Sequence, residues 1–167
     1  MEITLTYQPD KGVFIDDTLL LWGSDRQQVR TLLNDKYEIG DNVIDLGDPN
    51  QNITQRRDIY KSYQGQDNLF FLNFDENEQL SEVEVHHGLI INVAGVVIDF
   101  SMDIEKAADL LGGIFGGTMP LSDGEYFFRD LKLTIASTNA MGGDGNKLSY
   151  FYCSKDVTRL VDNEVCS

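Results

Sequence analysis

The sequence has few basic residues and no long apolar run. Of its 167 residues, 13 are Lys or Arg and 28 are Asp or Glu, which gives a net charge of −15. Binding to phosphate backbones or anionic lipid surfaces requires clustered Lys and Arg, so this balance disfavours nucleic acid and membrane surfaces as partners. The longest apolar stretch, residues 89–100, is interrupted by Asn92 and Asp99 and is shorter than the roughly 20 residues that a spanning helix needs. The sequence therefore predicts a soluble protein.

Cysteine is scarce, and no targeting signal is visible. Residues 1–8 alternate apolar and polar side chains and lack the basic and apolar segments of a secretory leader. They predict a first β-strand and a cytoplasmic location. In that compartment thiols stay reduced, so we expect Cys153 and Cys166 to be free.

Signatures of catalysis and cofactor binding are also missing. The chain has no Gly-x-Ser-x-Gly motif, and no Lys-Ser/Thr pair follows the glycines of residues 112–117 as a phosphate-binding loop requires. The only histidines, His86 and His87, are adjacent. On a strand they point to opposite faces and cannot together ligate one metal ion. The sequence therefore predicts a protein that is not an enzyme and has no cofactor or metal.

The residues that are present predict a globular α+β fold, with a mostly antiparallel sheet and two short helices. Apolar residues make up 41% of the chain, with nine Phe and seven Tyr, which is enough for a core. Helical spacing predicts one helix over residues 25–35, after the capping residues Ser24 and Asp25, and another over 102–111, stopped by Gly112 and Gly113.

Alternating segments predict the strands. Asp41 to Asn52 is expected to be a polar loop in which Val43, Ile44 and Leu46 can form a brief strand. A last short helix is predicted from Ser154. The predicted strands are residues 3–7, 13–15, 18–22, 59–63, 69–74, 80–87, 89–91, 96–100, 126–128, 131–136 and 147–153.

The order of these segments predicts a single domain over residues 1–167 that contains two similar units. Residues 12–15 align with 88–91, and residues 24–33 align with 101–111. This alignment suggests pseudo-repeats over residues 1–87 and 88–167, each with a hairpin, a helix and further strands. Ordinary α+β chains can show the same succession without any duplication.

One strand and the turn before it carry the residues with the most functional promise. Glu82, Glu84 and His86 are spaced by two and share one face, while Val83 and Val85 share the other. The simplest interpretation is a solvated polar face. The same three residues could also form a metal or acid–base site, or meet a basic partner.

Charge segregation favours the partner among the functional interpretations. Six of the 13 basic residues lie between positions 24 and 61, and none lies between Asp67 and Asp103. We expect an uncompensated negative field there, although such a field can also serve solubility alone. The predicted partner-binding residues are Asp75, Glu76, Glu78, Glu82, Glu84 and His86.

The segment Gly23–Leu33 is similar to the Gly-Ser/Thr-x-x-x-Val-x-x-Leu-Leu helix start of tandem-repeat inhibitors of the β-lactamase-inhibitor type. In its overall character, a small, acidic, motif-poor α+β chain resembles the immunity proteins of bacterial contact-dependent growth inhibition and polymorphic toxin systems. The resemblance implies an inhibitor that forms a stoichiometric complex with a cognate toxin domain. Together with the charge, it predicts a monomer that neutralises a basic toxin, with a nuclease as the favoured target.

Two alternatives stay open. One is a metal-dependent hydrolase that uses Glu82, Glu84 and His86. The other is an adaptor that binds through an exposed edge of the strand over residues 3–7.

Overall fold

The structure is a computed structural model that describes residues 2–115 and 119–155. Within these residues the chain forms two helices, α1 (Arg26–Leu33) and α2 (Ile104–Phe115). The strands are, in chain order, β1 (Ile3–Gln8), β2 (Gly12–Ile15), β3 (Thr18–Leu21), β4 (Glu38–Ile39), β5 (Asn42–Ile44), β6 (Ile53–Lys61), β7 (Leu69–Phe74), β8 (Leu80–His87), β9 (Leu89–Val93), β10 (Val96–Ile98), β11 (Met119–Ser122), β12 (Glu125–Phe128), β13 (Leu133–Ser137) and β14 (Leu148–Ser154). The predicted α+β class is confirmed.

The smaller sheet has five strands in the order β10-β9-β1-β2-β3. Its central strand is β1, which pairs in parallel with β9 and antiparallel with β2. The alternation of β1 places Ile3, Leu5 and Tyr7 in the core, where each is at most 3% exposed. The hypothesis that β1 offers a free edge to a partner is wrong, because neighbouring strands occupy both of its edges.

The larger sheet has nine strands, in the order β11-β12-β13-β14-β8-β7-β6-β4 with β5 also beside β6. All of its pairs are antiparallel. Strands β8 and β14 pair at the middle of the sheet. Strands β4 to β7 lie on the side of β8, and β11 to β13 lie on the side of β14. The two predicted units thus contribute to opposite halves of this sheet, while their duplication stays a prediction.

One continuous cluster of buried apolar side chains includes residues of both sheets and both helices. Tyr7 of β1 joins the two sheets: its ring lies 6.4 Å from that of Phe151 on β14, and its hydroxyl donates to the Leu131 carbonyl at 2.5 Å. Burial raises the pKa of Tyr7 above its usual range, so this donor stays protonated. The Cys153 thiol is buried in the same core, and Cys166 lies outside the described residues.

Helix α1 forms where helical spacing predicts it. The Asp25 carboxylate accepts hydrogen bonds from the amides of Gln27 and Gln28 at 3.0 and 3.4 Å, which satisfies two donors of the first turn. Val29 and Leu33 are buried. The helix ends at Asn34, whose φ of 46° is left-handed.

Helix α2 extends further than predicted. It starts at Ile104 and continues through Gly112 and Gly113 to Phe115, so the predicted stop at these glycines is wrong. A glycine inside a helix lowers its stability by about 1 kcal/mol relative to alanine. Burial of the face that carries Ile104 and Leu111 stabilises the helix and outweighs that cost.

No helix in the described part of the chain is long and apolar enough to cross a membrane. The sequence predicts that the last helix starts at Ser154, but Ser154 is the final residue of β14, so that start is wrong. The rest of that prediction falls on residues 156–167, outside the described ranges.

Candidate functional site

The larger sheet has a core face and an outer face, and β8 contributes to both. Val83 and Val85 are fully buried in the core. Since successive side chains of a strand alternate, Glu82, Glu84 and His86 lie on the outer face, as the sequence predicts.

On the outer face, Glu84 is a buried and fully engaged carboxylate. It is 9% exposed and accepts hydrogen bonds from Arg57 at 2.6 Å, Asn73 at 2.7 Å and the Tyr150 hydroxyl at 2.6 Å. Burial, followed by the charge of Glu84, raises the pKa of Tyr150 above its usual range, which keeps its hydroxyl a donor.

The prediction that the acidic residues of β8 lack compensating charge is therefore wrong for Glu84. Strand β7 lies between β6 and β8, and the long Arg57 side chain crosses it. The guanidinium lies 4.6 Å from the centre of the Phe71 ring on its way to Glu84. Sequence distance hides this pair, because the two residues are 27 positions apart.

Glu82 belongs to the same hydrogen-bonded group. Its carboxylate accepts from the Tyr152 hydroxyl, and the Asn73 amide lies 3.5 Å away. We refer to Arg57, Asn73, Glu82, Glu84, Tyr150 and Tyr152 as the outer-face network.

His86 lies beside this network between two aromatic rings. The centres of the Phe71 and Tyr150 rings are 4.5 and 5.4 Å from that of His86. Its Nε2 atom is buried and has no hydrogen-bond partner within the described residues. Burial lowers the pKa of His86; the charge of Glu84 opposes this effect and that of Arg57 adds to it. The ring is therefore neutral at pH 7.

Metal-ligating side chains do not converge within the part of the chain that the structure describes. Among residues 2–115 and 119–155, no group of three or more His, Cys, Asp or Glu side chains is placed to hold a metal ion. The carboxylates of Glu82 and Glu84 instead accept hydrogen bonds from protein donors. The hydrolase hypothesis stays a prediction.

The other predicted site residues lie in the acidic turn, residues 75–78, between β7 and β8. Asp75 shapes this turn, because its Oδ1 accepts from the amides of Asn77 at 2.9 Å and Gln79 at 3.0 Å. Glu76 is exposed. Glu78 lies 3.0 Å from Arg26 and 3.9 Å from Arg56, so its charge is compensated. Asp75 and Glu76 thus present the negative charge of the turn.

Beneath the turn, a cluster of charged residues around the buried Asp58 connects helix α1 to the large sheet. Asp58 on β6 is fully buried. It accepts hydrogen bonds from Arg26 at 2.7 and 3.1 Å and from Arg30 at 2.7 and 2.8 Å. Arg26 also binds Asp41 at 2.8 Å and Glu78 at 3.0 Å. We refer to these five residues as the Arg26 cluster.

Asp41 gives the Arg26 cluster a second link to β6. Its Oδ1 also accepts from the backbone amide of Arg57 at 2.9 Å. The hydrogen bond from Arg26 holds the pKa of Asp41 below its usual value, so the link is ionic at neutral pH. Asp41 directly precedes β5, and the cluster therefore fixes the start of that strand.

The polar loop predicted over Asp41 to Asn52 contains the brief strand that the sequence also predicts, and the apolar side chains of this segment are exposed. Strand β5 pairs with the first residues of β6, with Val43 opposite Thr54 and Ile44 opposite Ile53. We refer to residues 42–55 as the β5–β6 ribbon. Its large apolar side chains are exposed, with Val43 at 56%, Ile44 at 39%, Leu46 at 53% and Ile53 at 50%.

The ribbon and the acidic turn border the same surface depressions. One, of about 250 Å³, is lined by Ile44 and Ile53 together with Asp75 and Glu82. Another is lined by Ile53, Asp75 and Glu76. The exposed apolar side chains of the ribbon thus adjoin several of the carboxylates that the sequence predicts to bind a partner.

Comparison with known proteins finds no relative of this chain: no family model, no curated protein and no solved structure matches it. The resemblance to toxin-immunity proteins stays a prediction.

The Arg26 cluster should contribute strongly to the free energy of unfolding. Asp58→Asn removes the buried carboxylate that Arg26 and Arg30 share; Arg26 keeps Asp41 and Glu78, but Arg30 loses its carboxylate partner. Breaking a buried ion pair in this way costs about 3–5 kcal/mol. Urea unfolding should show that loss. The control is Lys61→Gln on the same strand, because Lys61 and its partner Glu38 are both exposed; it should cost less than about 1 kcal/mol. Equal effects of the two substitutions would contradict this role of the cluster.

His86 should make stability depend on pH. Its pKa is lowered in the folded protein, so the unfolded chain binds more protons as pH falls below about 6.5. Stability should decline from pH 7 to 5.5, and His86→Phe should reduce that slope. Thermal melts across this range provide the measurement. His87→Gln is the control, because this neighbouring residue is exposed, and the variant should keep the decline due to His86. If the slope is unchanged in His86→Phe, His86 is not the group that makes stability depend on pH.

Proposed function

We propose that this protein is an acidic inhibitor that binds a positively charged toxin domain and neutralises it in a stoichiometric complex. A nuclease domain is the favoured target, because its substrate groove must be positively charged to bind nucleic acid. On this proposal the protein acts by covering its partner and not by catalysis.

The acidic turn beside exposed apolar side chains is the observation that carries the proposal. Asp75 and Glu76 border a depression that Ile53 also lines. Interfaces combine an apolar centre, which is desolvated on binding, with a polar rim that selects the partner. Here the rim is negative, and Arg56, the cation in this depression, lies 3.9 Å from Glu78.

Charge on the whole chain supports the same proposal. With a net charge of −15, the protein attracts a positive partner over a distance of about one Debye length, which raises the rate of encounter. The outer-face network reduces the number of residues that we propose to contact the partner. Glu84 is already paired with Arg57, so the proposed contacts come from Asp75, Glu76 and Glu82 more than from Glu84.

The test is a titration of the protein against the catalytically inactivated toxin domain encoded by the adjacent gene. We expect a 1:1 complex whose association rate falls at least about tenfold between low salt and 0.5 M salt, because screening removes the long-range attraction. Calorimetry gives the stoichiometry, and stopped-flow measurements give the rate. Glu76→Lys should slow association more than Asp144→Lys, the same charge change in an exposed loop elsewhere. Absence of binding would refute the proposal.

A further inference from the structure

We propose that the β5–β6 ribbon is the element that inserts into an apolar groove of the positively charged partner. This inference rests on the proposed function and specifies which part of the surface makes the central contact.

The ribbon extends beyond the paired part of the large sheet. Pairing between β6 and β7 ends at Arg56 and Phe74, so residues 53–55 of β6 pair with β5 alone. Within the described part of the chain, β5 in turn pairs only with β6. A two-stranded projection of this kind can enter a groove that the flat face of a sheet cannot.

Both faces of the ribbon carry exposed apolar side chains. Ile44 and Ile53 are opposite each other and share one face, while Val43 lies on the other face beside Thr54. Each of these three apolar residues is at least 39% exposed. Exposed apolar groups in contiguous patches mark binding sites, and apolar groups on two faces fit a groove better than a flat surface.

Charge identifies the occupant as a basic protein and not a second copy of this chain. Residues 42–55 contain no Lys or Arg, but they contain the carboxylates of Asp45 and Asp48. Asp45 and Asp48 accept hydrogen bonds from nearby amides of the ribbon tip and remain accessible there. Two ribbons packed together would bring these like charges into contact, which is unfavourable. A groove rimmed by Lys or Arg would complement them.

The Arg26 cluster holds the ribbon ready for binding. Asp41, the residue before β5, is fixed by Arg26 and by the amide of Arg57. The strand therefore starts from a defined position, and less conformational entropy is lost on binding than for a free loop.

The experiment compares two double variants in binding to the inactivated basic domain used above. Ile44→Ser with Ile53→Ser removes apolar groups from the ribbon. The matched control is Leu21→Ser with Val97→Ser, which changes residues of similar exposure, 46% and 48%, on the smaller sheet. We expect the ribbon variant to raise Kd at least about 30-fold, as the loss of a central contact does, and the control to change Kd less than about threefold.

Each outcome decides the inference. If wild type binds and the ribbon variant binds equally well, the ribbon is not the contact, and the proposed function stands. If wild type does not bind, the proposed function and this inference fail together. If sedimentation shows a wild-type dimer that the ribbon variant dissociates, the occupant is a second copy and the inference is overturned. If the variant with Ile44→Ser and Ile53→Ser no longer melts cooperatively, the same binding measurement is made with Val43→Ser and Leu46→Ser, two other exposed residues of the ribbon.

Discussion

The contact between the buried carboxylate of Asp58 and the guanidinium of Arg26 is the interaction on which the candidate site depends. A fully buried carboxylate is tolerated only when donors replace the water it has lost, and Arg26 and Arg30 supply four such hydrogen bonds. The remaining donors of Arg26 bind Asp41 and Glu78. One side chain therefore joins helix α1, strand β6, the residue before β5 and the acidic turn.

The acidic residues of the large sheet fall into two groups with different roles. On the outer face, Glu84 is neutralised by Arg57 and accepts further hydrogen bonds from Asn73 and Tyr150, so it stabilises the sheet and adds little to the external field. Around the acidic turn and the ribbon, the carboxylates reach the surface beside exposed apolar groups. The charge that remains available to a partner is thus displaced from the centre of the sheet towards one end.

Local patterns predict much of this architecture, and long-range contacts account for what they miss. Alternation correctly assigns the two faces of β8, and capping chemistry at Asp25 correctly starts α1. The glycines of α2 mislead because packing of a buried helix face outweighs their local cost. The pairing of Arg57 with Glu84 joins residues 27 positions apart across an intervening strand, and no spacing rule reports it. Spacing predicts a brief strand at Val43 and Ile44. It does not report that these side chains lie exposed opposite Ile53 and its neighbours, because that depends on pairing with β6 beyond the end of its pairing with β7.

On our proposal, the ribbon and the acidic turn together form the surface that meets a basic partner. Amide hydrogen exchange, measured with and without the inactivated toxin domain, tests it most directly, because exchange reports protection along the backbone. We expect binding to slow amide exchange in residues 42–55 and 75–78 and to leave exchange in the edge strands β3 and β10 of the smaller sheet unchanged. The proposal is contradicted if binding slows amide exchange only in those edge strands and the ribbon exchanges as fast as it does without the toxin domain.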